Sequence, residues 1–155
     1  MSNIIFKELS NAEGRYLQDS ELSTVQNFVN SYTQRISTYR YLQENKDTLI
    51  IKTLRSLMPS NRQVIQQHSD ICKRDMSHVL RYVALSILKD DENGFIEELI
   101  LWMQNILFSL HKEEQSVAFY IAMKTVVTEQ MIPGEAALVN HYLSLFIDAL
   151  KVGQR

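Results

Sequence analysis

The feature that most constrains the fold is a stripe of apolar residues that recurs every three or four positions from Leu22 to Leu42. This spacing places the side chains on one face of a helix of about six turns. Further stripes at helical spacing lie at residues 49–58, 71–87, 95–110 and 137–149. No segment alternates as strands do, and four glycines and two prolines are few for a turn-rich fold. The sequence therefore predicts an all-α protein.

Interruptions of these stripes divide the chain into seven or eight helices. A short amphipathic helix near residues 3–14 ends at a glycine, and Asp19-Ser20-Glu21 is a helix-start pattern. Pro59-Ser60-Asn61 predicts the end of a helix, residues 89–94 form a polar turn, and Pro133-Gly134 separates the last two helices. The unequal helix lengths argue against a simple four-helix bundle and favour a globin-like packing.

Length and composition exclude several classes of protein. A chain of 155 residues can bury one substantial core, so we predict a single domain spanning 1–155. The formal net charge is −2 and no basic run occurs, so nucleic acid is not an expected partner. No apolar run is long enough to span a bilayer, and the first residues do not resemble a signal peptide. A single cysteine allows no internal disulfide, which fits a reducing cytoplasm.

The segment 71–82 carries the most distinctive chemistry. It contains the only cysteine, Cys72, followed by Arg74 and Asp75. Residues three apart lie about 60° apart around a helix, so the thiol and the carboxylate share a face, whereas Arg74 points about 160° away from Cys72. That face either surrounds a ligand or packs in the core. From the residues alone, one cysteine on an apolar helix face is most often a small buried hydrophobe.

Other chemistries receive less support from the sequence. The four histidines lie far apart, at positions 68, 78, 111 and 141, so no zinc site is predicted. Cys72 and His68 are spaced for one helix face, yet no oxyanion device accompanies a nucleophilic pair. Haem is an open alternative, because His78 and His111 fall on successive helices of a globin-like chain. No paired carboxylates indicate acid–base catalysis, and we predict that the protein is not an enzyme.

The 71–82 segment resembles the chromophore helix of the phycobiliproteins, which reads Cys-x-Arg-Asp, then two aromatic residues, Leu and Arg. The corresponding residues here are Cys72-Lys73-Arg74-Asp75 and then Leu80-Arg81. The run Asn11-Ala12-Glu13-Gly14-Arg15-Tyr16-Leu17 looks like the family's N-terminal helix hairpin. Gln43-Glu44-Asn45 resembles the α-type subunits of allophycocyanin, and Ala122-Met123-Lys124-Thr125-Val126 resembles a segment of the next-to-last long helix. The likeness covers nearly the whole chain in the right order.

The resemblance implies a light-harvesting subunit of globin-like, phycocyanin-like fold that passes excitation energy between pigments. It implies that phycocyanobilin, a linear tetrapyrrole, is joined to Cys72 by a thioether bond. Asp75 then accepts hydrogen bonds from the pyrrole nitrogens, and Arg74 binds a propionate. The other side chains expected at the pigment are Arg81, Met76, Val79, Trp102 and Leu107.

The resemblance also implies partners and a location. Residues 1–31 form the hairpin that docks on a β-type allophycocyanin subunit, and residues 32–155 form the pigment-binding core. Such heterodimers assemble into rings, and a helical assembly is the alternative for this chain. The assembly lies in phycobilisomes at the cytoplasmic face of the thylakoid membrane and does not span it. The alternative is a relative without bilin, or a haem-binding one, that acts as a globin-like sensory or interaction module.

Several positions depart from the family pattern. The family usually has about ten more residues before the cysteine. The two aromatic positions after the aspartate hold His78 and Val79, a family tyrosine is replaced by Leu107, and Trp102 stands where a small residue is common. We therefore expect a differently shaped pocket and a specialised allophycocyanin, shifted towards far-red light.

Overall fold

The computed structural model of the chain describes residues 3–105 and 113–153. Within these ranges it contains helices and no strand, which confirms the all-α prediction. The helices are α1 Asn3–Asn11, α2 Asp19–Asn30, α3 Tyr32–Lys89, α4 Glu92–Asn105, α5 Glu113–Gln130 and α6 Pro133–Gly153.

The first two helices form the predicted N-terminal hairpin. Gly14 adopts a φ of 83°, a left-handed conformation that glycine reaches at little cost, and the chain reverses there. Arg15 then donates two hydrogen bonds to the carboxylate of Glu21, at 2.8 and 2.9 Å. The same carboxylate accepts the backbone N–H of Gln18 at 2.8 Å, which completes a capping box at the start of α2. These donors lower the pKa of Glu21 to about 2.

The long helix α3 is bent at two residues. Asn61 and His68 have φ values of −133° and −131°, outside the helical range. They divide α3 into a first arm, residues 32–60, and a second arm, residues 69–89, joined by the short helical segment 62–67. With these straight segments counted separately, residues 3–105 and 113–153 contain seven or eight helices, the number predicted.

The two arms lie antiparallel against each other. One groove between them is lined by Leu42 from the first arm and by Ala84 from the second. A second groove nearer the bend is lined by Leu54 and Ser69. These pairs are placed almost symmetrically about Asn61, so the chain reverses there.

The first bend coincides with the helix end predicted at Pro59-Ser60-Asn61. Pro59 lies in the last turn of the first arm, and the helical geometry is lost at Asn61. The side chain of Asn61 donates to Ser60 Oγ at 2.9 Å, which gives the turn a local hydrogen bond. Residues 62–71, which lead to Cys72, are helical apart from the bend at His68.

The core lies between both arms of α3 and the last two helices. Its fully buried side chains include Val79 and Val83 of α3, Met123 of α5 and Leu143 of α6. Helix α4 is held on this layer by Phe95, whose ring contacts Tyr142 edge-on at 5.1 Å. The crossing helices form the predicted globin-like fold. None of the helices in the part of the chain described has the length and apolar character needed to cross a membrane.

A buried arginine connects the hairpin to both ends of α3. Arg35 is 2% exposed, and its guanidinium donates to Ser31 Oγ and to the backbone carbonyls of Phe28 and Leu88. It also lies 4.3 Å from the ring centre of Phe28 and 5.5 Å from that of Tyr32. We call this cluster of five residues the joint.

Candidate functional site

The second arm of α3 presents the residues that the sequence singled out. Cys72 and Asp75 are half-buried, and the cysteine packs against the edge of the core. Met76 and Val79 are buried within that core. The thiol and carboxylate therefore lie at a boundary between core and solvent, where an attached group can reach both.

Arg74 and Asp75 form a loose ion pair at this boundary. The Arg74 Nη2 atom lies 3.4 Å from Asp75 Oδ1, and the two side chains are 70% and 21% exposed. The distance is long for a charge-assisted hydrogen bond, and an exposed pair of this kind contributes about 0–1 kcal/mol to stability. Asp75 therefore keeps most of its capacity to accept hydrogen bonds from another donor.

Tyr120 of α5 lies on the core side of Cys72 and Asp75, and it was not predicted from the sequence. Burial raises the pKa of its phenol well above the usual value, and the negative charges of Asp75 and of ionised Cys72 raise it further. The ring contacts Phe146 of α6 edge-on at 4.6 Å. No sequence pattern separates Tyr120 from an ordinary core aromatic, because its role depends on how α5 crosses α3.

An aromatic cluster extends from this place along α3. The imidazole of His78 lies 5.2 Å from the indole of Trp102, tilted by 33°, and 4.8 Å from the ring of Tyr82, almost perpendicular to it. Trp102 in turn lies 6.4 Å from Phe146. Arg81 Nη2 contacts His78 Nδ1 at 2.8 Å.

The pKa of His78 is lowered. Burial disfavours the charged imidazolium most strongly, the positive charge of Arg81 adds to this, and Asp75 partly opposes it. His78 is therefore neutral at pH 7.

The structure separates the remaining predicted residues. Arg81 is exposed and lines the groove between the arms of α3 in addition to contacting His78. Leu107 and His111 lie outside the residues described. His68 lies at a bend of α3, so the regular helix face that a Cys72–His68 pair requires is not formed. Within residues 3–105 and 113–153 no group of three side chains is arranged to bind a metal ion.

The arrangement fits a ligand that combines a covalent anchor with polar and aromatic contacts. Cys72 offers a nucleophilic sulfur, Asp75 an acceptor for N–H groups and Arg74 a mobile cation. Trp102, which is half-buried, offers aromatic surface. A linear tetrapyrrole has the matching groups: a reactive side chain, N–H donors, carboxylates and an extended conjugated system.

Comparison with known proteins decides the family. The family model described as "Phycobilisome protein" matches residues 8–150. The chain belongs to the phycobilisome protein family. This agrees with the resemblance found in the sequence, and the related proteins point to the allophycocyanin α type.

Three relatives illustrate that similarity. A protein of Nostoc sp., provisionally named allophycocyanin subunit alpha 2, is 27% identical over 160 residues. The allophycocyanin alpha chains of Thermosynechococcus vestitus and Cyanidium caldarium are 26% and 24% identical over 160 residues. Each alignment covers 96% of this chain and 99% of the relative.

The same alignments record a difference in length. The alignment covers 96% of the 155 residues, which is about 149. About 11 of the 160 aligned positions therefore have no residue in this chain. The relatives therefore carry additional residues. Their number agrees with the segment of about ten that we expect to be missing before Cys72, although its position stays a prediction.

Proposed function

We propose that this chain is a light-harvesting subunit that holds phycocyanobilin covalently at Cys72 and passes excitation energy to neighbouring pigments. The observation that carries this proposal is the half-buried thiol with Asp75 one helical turn away, in a chain of the phycobilisome family. A pigment carrier needs attachment and orientation, not turnover, so we infer that the protein is not an enzyme.

The pigment supplies a conjugated system that absorbs visible light, together with N–H donors and propionates. Cys72 adds through its sulfur to the carbon–carbon double bond of the ethylidene group. One S–C bond forms, the double bond becomes single, and the thiol proton ends on the ring carbon. No oxidant or leaving group is needed. The attachment therefore requires only an accessible thiol, and Cys72 lies at the core boundary.

Asp75 and Arg74 take separate roles when the site is filled. Asp75 accepts hydrogen bonds from pyrrole N–H groups, because a half-buried carboxylate is stabilised by donors. Arg74 is exposed on a long flexible stem, so it exchanges the loose pair with Asp75 for a carboxylate of the pigment. Of the other predicted contacts, Trp102 forms an aromatic wall of the proposed site beside His78. Met76 and Val79 lie beneath the site in the core.

The N-terminal hairpin is proposed as the subunit contact. Phe6, Leu9, Tyr16 and Val29 are exposed on α1, α2 and the turn between them. Apolar side chains gathered on so short a hairpin favour burial against another protein. We infer that residues 1–31 dock on a β-type allophycocyanin subunit and that residues 32–155 form the core of one domain. We place the resulting rings or helical arrays at the cytoplasmic face of the thylakoid membrane.

Co-expression with the enzymes that make phycocyanobilin tests the attachment. The wild-type product should be blue or green and should fluoresce in a denaturing gel soaked in zinc. Cys72→Ala should lose the gel fluorescence completely. Ser77→Ala, another half-buried small residue of the second arm, should keep it.

Two outcomes contradict the proposal. A folded product that stays colourless with an attachment enzyme present indicates an interaction module without pigment. A Soret band indicates haem instead, in which case substitution of His111 should remove it.

A further inference from the structure

His78 is held in one tautomer by Arg81. A guanidinium donates hydrogen bonds and accepts none, so the 2.8 Å contact between Arg81 Nη2 and His78 Nδ1 requires a lone pair on Nδ1. The neutral imidazole then carries its proton on Nε2. Arg81 thus converts an imidazole with two possible tautomers into a donor at one defined atom.

The ring plane of His78 is fixed by its neighbours. Trp102 of α4 lies against one side of the imidazole, and Tyr82 contacts it edge-on from the next turn of α3. The atom that carries the proton, Nε2, has no hydrogen-bond partner within the described part of the chain, and the His78 residue is half-buried. An oriented N–H with spare capacity lies one helical turn beyond Asp75.

We propose that His78 donates a hydrogen bond from Nε2 to an oxygen of the bound tetrapyrrole, and that Arg81 is the residue that positions this donor. The inference rests on the proposed function, because it supposes a pigment attached at Cys72. It assigns to the histidine at a family aromatic position a polar contact that a phenyl ring cannot make. Trp102 supplies the aromatic wall against which the imidazole is held.

The charged and titratable groups around His78 favour this role. Asp75, Arg81 and Tyr82 lie on α3, and α4 contributes the uncharged indole of Trp102. The imidazole therefore stays in the neutral, singly protonated form at pH 7.

The tautomer can be tested in the pigment-free protein. Trp102 is the only tryptophan of the chain, so its fluorescence reports on the imidazole beside it. Because a protonated imidazole quenches an indole in contact with it, acidification should quench the wild-type emission. His78→Phe should abolish this titration, and Arg81→Met should move its midpoint to higher pH. Identical midpoints for wild type and Arg81→Met would overturn the positioning role of Arg81.

The hydrogen bond itself can be tested with two substitutions in the pigment-loaded protein. His78→Gln places an amide N–H near the position of Nε2, whereas His78→Phe keeps an aromatic ring and removes the donor. Zinc fluorescence in denaturing gels measures attachment separately from colour. We expect the absorption maximum of the glutamine variant to match wild type and that of the phenylalanine variant to shift.

The outcomes separate the possible acceptors and the two proposals. A shift in the absorption of His78→Phe places the acceptor oxygen on the conjugated system. An unchanged maximum with reduced attachment places it on a propionate. Equal absorption and attachment in both variants would overturn the proposed hydrogen bond. If the wild-type protein attaches no pigment, the proposed function fails as well, whereas a failed hydrogen bond alone leaves the zinc signal of all variants intact.

Discussion

Two arginines of α3 lie in opposite environments. Arg35, in the first arm, is 2% exposed and donates to three oxygen acceptors at the joint. Arg74, in the second arm, has a side chain that is 70% exposed and reaches only Asp75, at 3.4 Å. All three nitrogens of the first guanidinium donate hydrogen bonds within the chain, whereas the second has most of its donors available.

The difference separates structure from binding on one helix. A buried cation is tolerated only where acceptors surround it, so the joint is complete without any ligand. A half-exposed carboxylate and cation lose little by changing partners. We therefore expect substitutions at the joint to change stability and substitutions around Asp75 to change pigment binding.

The largest expected effect is that of Arg35→Leu. Removing the guanidinium takes the donor from the part-buried carbonyl of Leu88 and leaves that of Phe28 with only the hydroxyl of Ser31, so the variant should lose about 3 kcal/mol of unfolding free energy. Urea denaturation of the pigment-free protein measures this loss. Arg40→Leu, an exposed arginine of the same arm, is the control and should change stability by less than about 0.5 kcal/mol. Equal losses in both variants would mean that the joint stabilises the fold no more than an exposed arginine of the same arm does.

A smaller loss is expected for Phe28→Ala. The ring lies 4.3 Å from the guanidinium carbon of Arg35, but the backbone carbonyl that accepts its hydrogen bond remains after substitution. We expect a loss of about 1–2 kcal/mol from the cation–π contact and the apolar area of a half-buried ring. A double-mutant cycle with Arg35→Leu should give a coupling energy clearly different from zero. Strict additivity would show that the ring and the cation act independently.

Asp75→Asn should have almost no effect on the stability of the pigment-free protein. The pair with Arg74 is loose and partly exposed, so we expect a change within about 0.5 kcal/mol in urea denaturation. With pigment attached, the same substitution should change the absorption spectrum, because the amide carries no charge. A large loss of stability without pigment would mean that Asp75 belongs to the structural part of α3.

The smallest effects concern pH. The hairpin, through Glu21, and the second arm, through His78, should lose stability in different pH ranges. Glu21 has a folded-state pKa of about 2 against an ordinary value of 4.5, so its stabilisation is present above pH 4.5 and is lost as the pH falls towards 2. Glu21→Gln should remove this acid-dependent step while keeping a capping acceptor at the start of α2.

The lowered pKa of His78 acts at higher pH: the folded state loses stability as the pH falls through the ordinary value of 6.5. Unfolding measured between pH 3 and 8 separates the two steps.

Much of the fold could be predicted because helical periodicity records it locally. Most apolar stripes coincide with observed helices, and the positions of Cys72 and Asp75 follow from the geometry of one helix. The stripe from Leu22 to Leu42 predicted a single helix and was wrong there, because α2 ends at Asn30 and α3 begins at Tyr32. The bend at Asn61 was located by the pattern Pro59-Ser60-Asn61, which predicts a helix end there. The bend at His68 could not be located in this way, because no proline or glycine marks it.

Arg35 and Tyr120 were not singled out from the sequence, because their roles also depend on how the helices pack. Arg35 reads as one of several surface cations, and only the antiparallel packing of the arms brings Leu88 to its guanidinium. Tyr120 is distant in sequence from Cys72 and reaches it because α5 crosses α3. Both depend on contacts between remote segments, which periodicity does not record.

The symmetry of α3 about Asn61 has a consequence for how the chain folds. Leu54 and Ser69 line one groove near the bend, so bringing them together closes a short loop. Residues farther from the bend then add only a small increment of loop-closure entropy. The arms can therefore zip together from the bend outwards, with the contact of Arg35 and Leu88 forming last. Folding kinetics should show high φ-values for substitutions near residues 54–69 and values near zero at Arg35, where the mutation should mainly accelerate unfolding.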